Sequence, residues 1–359
     1  MRVFISDCEG PISKNDNAFD VASHFLPRGD YFFSLISRYD DVLSDIVKRP
    51  RYMAGYTLTL ITPFLKAYGV TNKNIEEYSA RNILLIHGAK EMLHRIKNAM
   101  PSFIISTSYE QYISSLCALI DFPYENVYCT KLNLDKYFID RTEINKLKQF
   151  EEEILNLPMI EMPNNAKSIS QLSEGARETI RRLDSIFWEY IPYMKAGRII
   201  EEIKPIGGEE KSNSVRDVTK RIGCNLCDVM YVGDSITDVQ ALQLVRHARG
   251  LTVSFNGNEY AVRNAEVAIL SDNAIVTSVL AEVFFRSGRK NVLRLVKEWN
   301  HHSLKKYCSD KILVQANSSE YPEALTKVEL VTKDSVNRLV EESSGFRKTV
   351  RGEAIGRLG

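Results

Sequence analysis

Two short apolar runs, far apart in the chain, each lead straight into a knot of acids. Val3-Phe4-Ile5-Ser6 runs into Asp7-Cys8-Glu9-Gly10, and Val229-Met230-Tyr231-Val232 runs into Gly233-Asp234-Ser235-Ile236-Thr237-Asp238. An unbroken apolar run of this length suits a strand covered on both faces, as in a parallel sheet flanked by helices. If the two strands are neighbours, their carboxylates meet at the carboxyl ends of the strands, where open α/β sheets receive ligands. Acids gathered in so small a volume repel one another, and a cation relieves the repulsion. Hard oxygen donors suit Mg²⁺. Such a site, beside an aspartate able to act as a nucleophile, is equipped for phosphate chemistry.

The rest of the chain supports a parallel sheet. A one-faced helical pattern over Gly88 to Asn98 precedes a second apolar run, Ser102 to Thr107. A crossover helix carrying Tyr112, Ile113, Leu116 and Ile120 follows, then a strand over Val127 to Thr130. The alternation resumes with a helix over Asn213 to Ile222 and strands over Leu251 to Phe255 and Val267 to Leu270. Alternation of this kind predicts an α/β, Rossmann-like, doubly wound parallel sheet. Two stretches break the pattern. Residues 12–86 carry aromatic and aliphatic residues at helical spacing, punctuated by Pro27, Pro50 and Pro63, and read as a helical cap placed directly after the first strand. Residues 143–200 read as a second helical insert. The core is then expected over 1–11, 87–142 and 201–290, with 291–359 a helical extension ending in a basic, glycine-containing tail. That tail is expected to be disordered or to contact another subunit.

Within this frame each candidate residue has a role and a blander alternative. Asp7, at the end of the first strand, can attack phosphorus; Glu9, two residues on, can protonate the leaving oxygen and then activate water. An acidic pair after a strand is equally well a turn. Ser106 with Thr107 and Ser108 can hold phosphoryl oxygens at the start of the next helix, or simply cap it. Lys211 can neutralise charge on the phosphoryl group, or be a solvated lysine; Lys204 is the fallback. Asp234 is the expected main Mg²⁺ ligand. Asp238, four residues on, either binds the ion through water or orients Lys211. The cluster Lys48-Arg49-Pro50-Arg51-Tyr52 offers Arg49 and Arg51 for a substrate carboxylate or second phosphate, against a solvated helix end.

These segments, in this order, resemble the haloacid dehalogenase superfamily. Asp7-Cys8-Glu9-Gly10 matches its Asp-x-Asp/Glu-Gly signature, Ile104-Ile105-Ser106-Thr107 its strand ending in Ser or Thr, Lys211 its lone lysine, and Gly233-Asp234-Ser235-Ile236-Thr237-Asp238 its Gly-Asp-x-x-x-Asp. Gly88 to Leu93 and the placing of the cap look like the phosphoserine-phosphatase-like branch. The layout is also similar to an archaeal group named after energy-converting hydrogenase gene clusters. The resemblance implies a Mg²⁺-dependent phosphatase acting on a small phosphorylated metabolite through an aspartyl phosphate on Asp7, with Asp7, Glu9, Asp234 and Asp238 around the metal. Glu9 replaces the commoner Asp, Pro11 the usual Thr, and the second insert and C-terminal extension are additions to the pattern. A phosphotransferase or phosphomutase fits the same motifs. So does a non-catalytic accessory subunit of a larger complex.

Composition narrows the partners. Lys and Arg number 47 against 46 Asp and Glu, a net charge of +1, which supplies no bulk attraction to nucleic acid or a membrane surface. The longest candidate span, Tyr56 to Leu65, is too short for a bilayer and is broken by Pro63. With no signal peptide expected ahead of Asp7 and six scattered cysteines, the expectation is a soluble, cytoplasmic protein, alone, as a homo-oligomer or within a complex. Cys224 and Cys227 form a C-x₂-C pair that would need His301, His302 or Cys308 to complete a zinc site. Two small buried thiols are the simpler expectation. Cys8 lacks a histidine base nearby and is expected in the core.

Overall fold

The computed structural model describes residues 1–163, 166–307 and 326–358. Seven strands form one sheet in the order β3-β2-β1-β4-β5-β6-β7: β1 Val3–Ser6, β2 Ser102–Tyr109, β3 Val127–Thr130, β4 Val229–Gly233, β5 Leu251–Phe255, β6 Val267–Leu270 and β7 Lys327–Leu330. All adjacent pairs are parallel except β6 with β7. This is the α/β doubly wound sheet expected from the alternation. β7 was not foreseen in a segment read as helical. Its pattern, Lys-Val-Glu-Leu, buries Val328 alone, as suits a strand at a sheet edge.

The period-two rule sorts the strand residues onto two faces. Phe4, Ile104, Met230 and Val232 join one apolar cluster with Met92 and Leu280. Val3, Ile5, Phe103, Val229 and Tyr231 join another with Val215 and Leu242. β1 lies between β2 and β4, with Ser6 opposite both Ile104 and Val232. The chain order reverses at that point, so Asp7 and Asp234 leave the sheet side by side.

The two inserts share one apolar cluster. Phe32, Tyr39 and Phe64 of the first pack with Leu147, Phe150 and Phe187 of the second. A helical segment with one apolar stripe has to bury it against a partner, and each insert supplies the other's. The body sits over the carboxyl ends of the strands: Tyr109 Oη donates to the Leu58 carbonyl at 2.5 Å, and Tyr260 Oη, just past β5, to Asp45 Oδ2 at 2.9 Å.

The C-terminal segment differs from the expected tail. Val336–Arg351 is a helix of four-residue periodicity whose buried residues are Leu339, Ser343, Arg347 and Arg351. Leu339 packs against Val262, Ala268 and Leu270 of the core, and Leu358 joins the helical body. Among the described residues no helix is long and apolar enough to cross a membrane.

Candidate active site

β1 delivers Asp7 and β4 delivers Asp234 at adjacent strand ends, with the Asp7 N–H donating to the Val232 carbonyl at 2.8 Å. Gly10 has φ +97°, and a Cβ there would overlap the Asp234 carboxylate. A Cβ on Gly233 would likewise strike Asp238. Both glycines are therefore required for the acids to approach each other. Carboxylate oxygens of Asp7, Asp234 and Asp238 lie within 4.8 Å of one another.

Lys211 stands in the middle of this cluster with no exposed surface. Its ammonium donates to Asp7 Oδ2 at 2.6 Å and to Asp238 Oδ1 at 2.8 Å. Burial alone would lower its pKa, but the carboxylates of Asp238 and Asp7 outweigh burial and hold the charged form above its usual range. The helix that carries it starts at Glu209, four residues before the sequence pattern suggested. Lys204, the fallback, is exposed.

Asp238 has every lone pair engaged from nearby. Oδ1 accepts from Lys211 and, at 2.7 Å, from Tyr231 Oη; Oδ2 accepts from the N–H groups of Asp234 and Ser235. Those four contacts fix Asp238 against Lys211, Tyr231 and its own loop. Asp7 is less well compensated. Burial pushes its carboxyl up to about 8, Lys211 opposes this, and Asp238 and Asp234 add to it.

Glu9 and Asp7 line the same small cavity, together with Thr107, Asp234 and the cap residues Asp40 and Asp41. Glu9 lies outside the three-carboxylate cluster; its Oε1 accepts the Asn17 N–H at 2.6 Å. Burial and the Asp16 carboxylate push its carboxyl well above the ordinary carboxylate range. Ser106 does not end its strand, which runs on to Tyr109 through a register shift against β3. Ser106 Oγ donates to Ser108 Oγ at 3.1 Å, and Ser108 in turn supports Glu9. Thr107 lines the cavity, and its Oγ1 is buried with no hydrogen-bond partner among the described residues. Thr107 and Ser108, expected at a helix N-terminus, therefore lie in a strand that continues to Tyr109, with the helix starting at Glu110.

Arg49 and Arg51 are not brought to this cavity. They line a separate groove of about 470 Å³ with Tyr52, Tyr56 and Trp188, where the Arg49 guanidinium lies 4.2 Å from the Trp188 ring centroid. The groove is larger than the acidic cavity but holds none of the acids, so it is not where the chemistry would occur. Cys8 is buried as expected. Cys227 is exposed and Cys224 half-buried, against the expectation of two buried thiols. Cys308 and the His301 side chain lie outside the described residues.

Two residues at this site were missed from sequence. Arg347 Nη1 pairs closely with Asp234 Oδ2, and Arg351 Nη1 reaches the same oxygen at 3.0 Å. Their signal was the stripe Leu339, Ser343, Arg347, Arg351 at spacing four, which marks one helix face.

Residues 68–282 match the family model of haloacid dehalogenase-like hydrolases, and the chain belongs to that family. The structure of gene product AF1437 from Archaeoglobus fulgidus is similar over 100% of this chain and 99% of that one, at 27% identity and a TM-score of 0.82. The likeness thus runs through both inserts and the C-terminal extension. A substrate-bound phosphoserine phosphatase is similar over 78% of this chain and 97% of that one, at 12% identity and a TM-score of 0.46. No curated protein matches.

Proposed function

We propose that the protein is a Mg²⁺-dependent phosphatase of small phosphorylated metabolites, working through an aspartyl phosphate on Asp7. The reading rests above all on Lys211, buried between Asp7 and Asp238 at the ends of two adjacent strands. An ammonium sealed in such a place has no use on a surface and serves where negative charge gathers. Three hard-oxygen carboxylates, one of them insufficiently compensated, fit a divalent cation, held by Asp7 and Asp234. When bound, Mg²⁺ would lower the charge on the phosphoryl oxygens and favour ionised Asp7.

The chain's own groups supply the rest. Asp7 attacks phosphorus while Glu9 gives its proton to the departing oxygen. Glu9, now a carboxylate, takes a proton from water, which attacks the acyl phosphate and returns Asp7. Lys211 steadies Asp7 and the phosphoryl charge, and Thr107 Oγ1 and the bulge beside it offer donors to the remaining oxygens. The substrate is to be found by screening phosphorylated metabolites with Mg²⁺ and quenching turnover in acid. The expected result is a phosphate adduct on the peptide containing Asp7, absent from Asp7→Asn. Hydrolysis that persists in Asp7→Asn would end this reading.

A further inference from the structure

The helix Val336–Arg351 places two guanidinium groups on the acid that the proposed metal needs most. Arg347 pairs with Asp234 Oδ2 and leans on the Asp234 and Asn256 carbonyls at 3.4 and 3.5 Å. Arg351 reaches the same Oδ2 at 3.0 Å, but it is also clasped by the carbonyls of Lys14, at 2.9 Å, and Asn15. Both arginines are more than nine-tenths buried. A buried guanidinium is costly unless its charge is met, so these side chains are held there by the acid they cover.

Asp234 already has its charge met, because two guanidiniums share its Oδ2. A divalent ion that took Asp234 as a ligand would contend with both guanidiniums for that oxygen and would set its charge against theirs. The cavity is also small, about 90 Å³, against the ~300 Å³ or more usual for a metabolite site. Arg347 and Arg351 line it, so the same groups limit both charge and space.

We infer that Arg347, anchored through Arg351, is an internal occupant of the cation position, so that Mg²⁺ and the C-terminal helix compete for Asp234. The inference rests on the metal-dependent reading above. Arg351, with its two carbonyl partners, keeps the helix near the site, while Arg347 is the group that must leave Oδ2. Linkage makes the competition reciprocal: whatever the arginine takes from metal affinity, the metal takes from the docking of the helix.

Two measurements without substrate test this. Calorimetric titration with MgCl₂ should give Arg347→Met a dissociation constant about tenfold or more below that of the unaltered protein, and Asp234→Asn should bind no Mg²⁺. In the unaltered protein, Mg²⁺ should speed hydrogen exchange across residues 336–351, a readout that does not depend on how Arg347→Met folds. Equal Mg²⁺ affinity in the two proteins, or exchange in that helix unchanged or slowed by Mg²⁺, would overturn the competition and leave the phosphatase reading standing. If neither protein binds Mg²⁺ at tens of millimolar, both fall together.

Discussion

Asp234 and Asp238 are four residues apart and both buried, yet they are held by opposite means. The partners of Asp238 belong to the sheet and its crossover helix: Lys211, Tyr231 and two N–H groups of its own loop. Those of Asp234 come from a helix more than a hundred residues later. The first arrangement cannot change without opening the core. The second changes if a terminal helix shifts, one held to the core by an apolar stripe around Leu339, by Ser343 on the Gly257 carbonyl and by Arg351 on those of Lys14 and Asn15. One half of the acidic cluster is thus permanent framework and the other half is exchangeable.

The contrast can be broken most directly on the framework side. Asp7→Asn, which keeps the shape but removes the nucleophile, should lower phosphomonoester turnover by at least about 10⁴-fold, measured against the unaltered protein at saturating Mg²⁺. Asp238→Ala leaves Lys211 short of a partner and two N–H groups uncapped, and should cost about 3–5 kcal/mol in urea unfolding. A loss under about 1 kcal/mol would show that Asp238 is not framework at all. Tyr231→Phe deletes one hydrogen bond to a carboxylate and should cost about 2 kcal/mol, with Mg²⁺ affinity unchanged. A matching loss of Mg²⁺ affinity would mean that the two halves are not separable.

The smallest effect sharpens the comparison at the cap. Burial, and next the Asp40 carboxylate, raise Asp41 from 3.8 to about 7 despite Arg38. Between those values the folded state holds a proton that the unfolded chain has released, so this group's contribution to stability falls as pH rises through the window. Asp41→Asn should therefore match the unaltered protein near pH 4 and gain above pH 7 an amount that the rise from 3.8 to about 7 caps at about 4 kcal/mol and that loss of the Arg38 pair cuts back. Thermal unfolding across that range reads it. A gain that is largest at low pH would reverse the sign of the argument.

The strands were legible because a strand covered on both faces must be apolar throughout, and Val3 to Ser6 and Val229 to Gly233 have no other use for such a run. Lys211 was legible only through its place in a motif order, since nothing local distinguishes it from a solvated lysine. The two arginine pairs show where reading from sequence stops. Arg49 and Arg51 stand in a conspicuous basic cluster, but Arg51 has φ +64° in an irregular turn, and the pair faces an aromatic groove. Arg347 and Arg351 stand in a basic, glycine-containing segment expected to be disordered or to contact another subunit. Their burial is decided by Asp234, 113 residues before Arg347, and no local pattern announces a charge pairing over that distance. The register bulge after Ser106 was hidden for a similar reason: it depends on how β3 pairs with β2, not on the residues of β2 alone.

The carbonyls of Lys14 and Asn15 that clasp Arg351, and the packing of Leu358 into the helical body, have a consequence for how the molecule is made. A ribosome releases the acids first and their guanidinium counterweights more than a hundred residues later. Until Arg347 and Arg351 have emerged, the nascent chain carries Asp234 without the groups that neutralise it, so a product cut short before residue 347 is burdened by an unmatched charge in its interior.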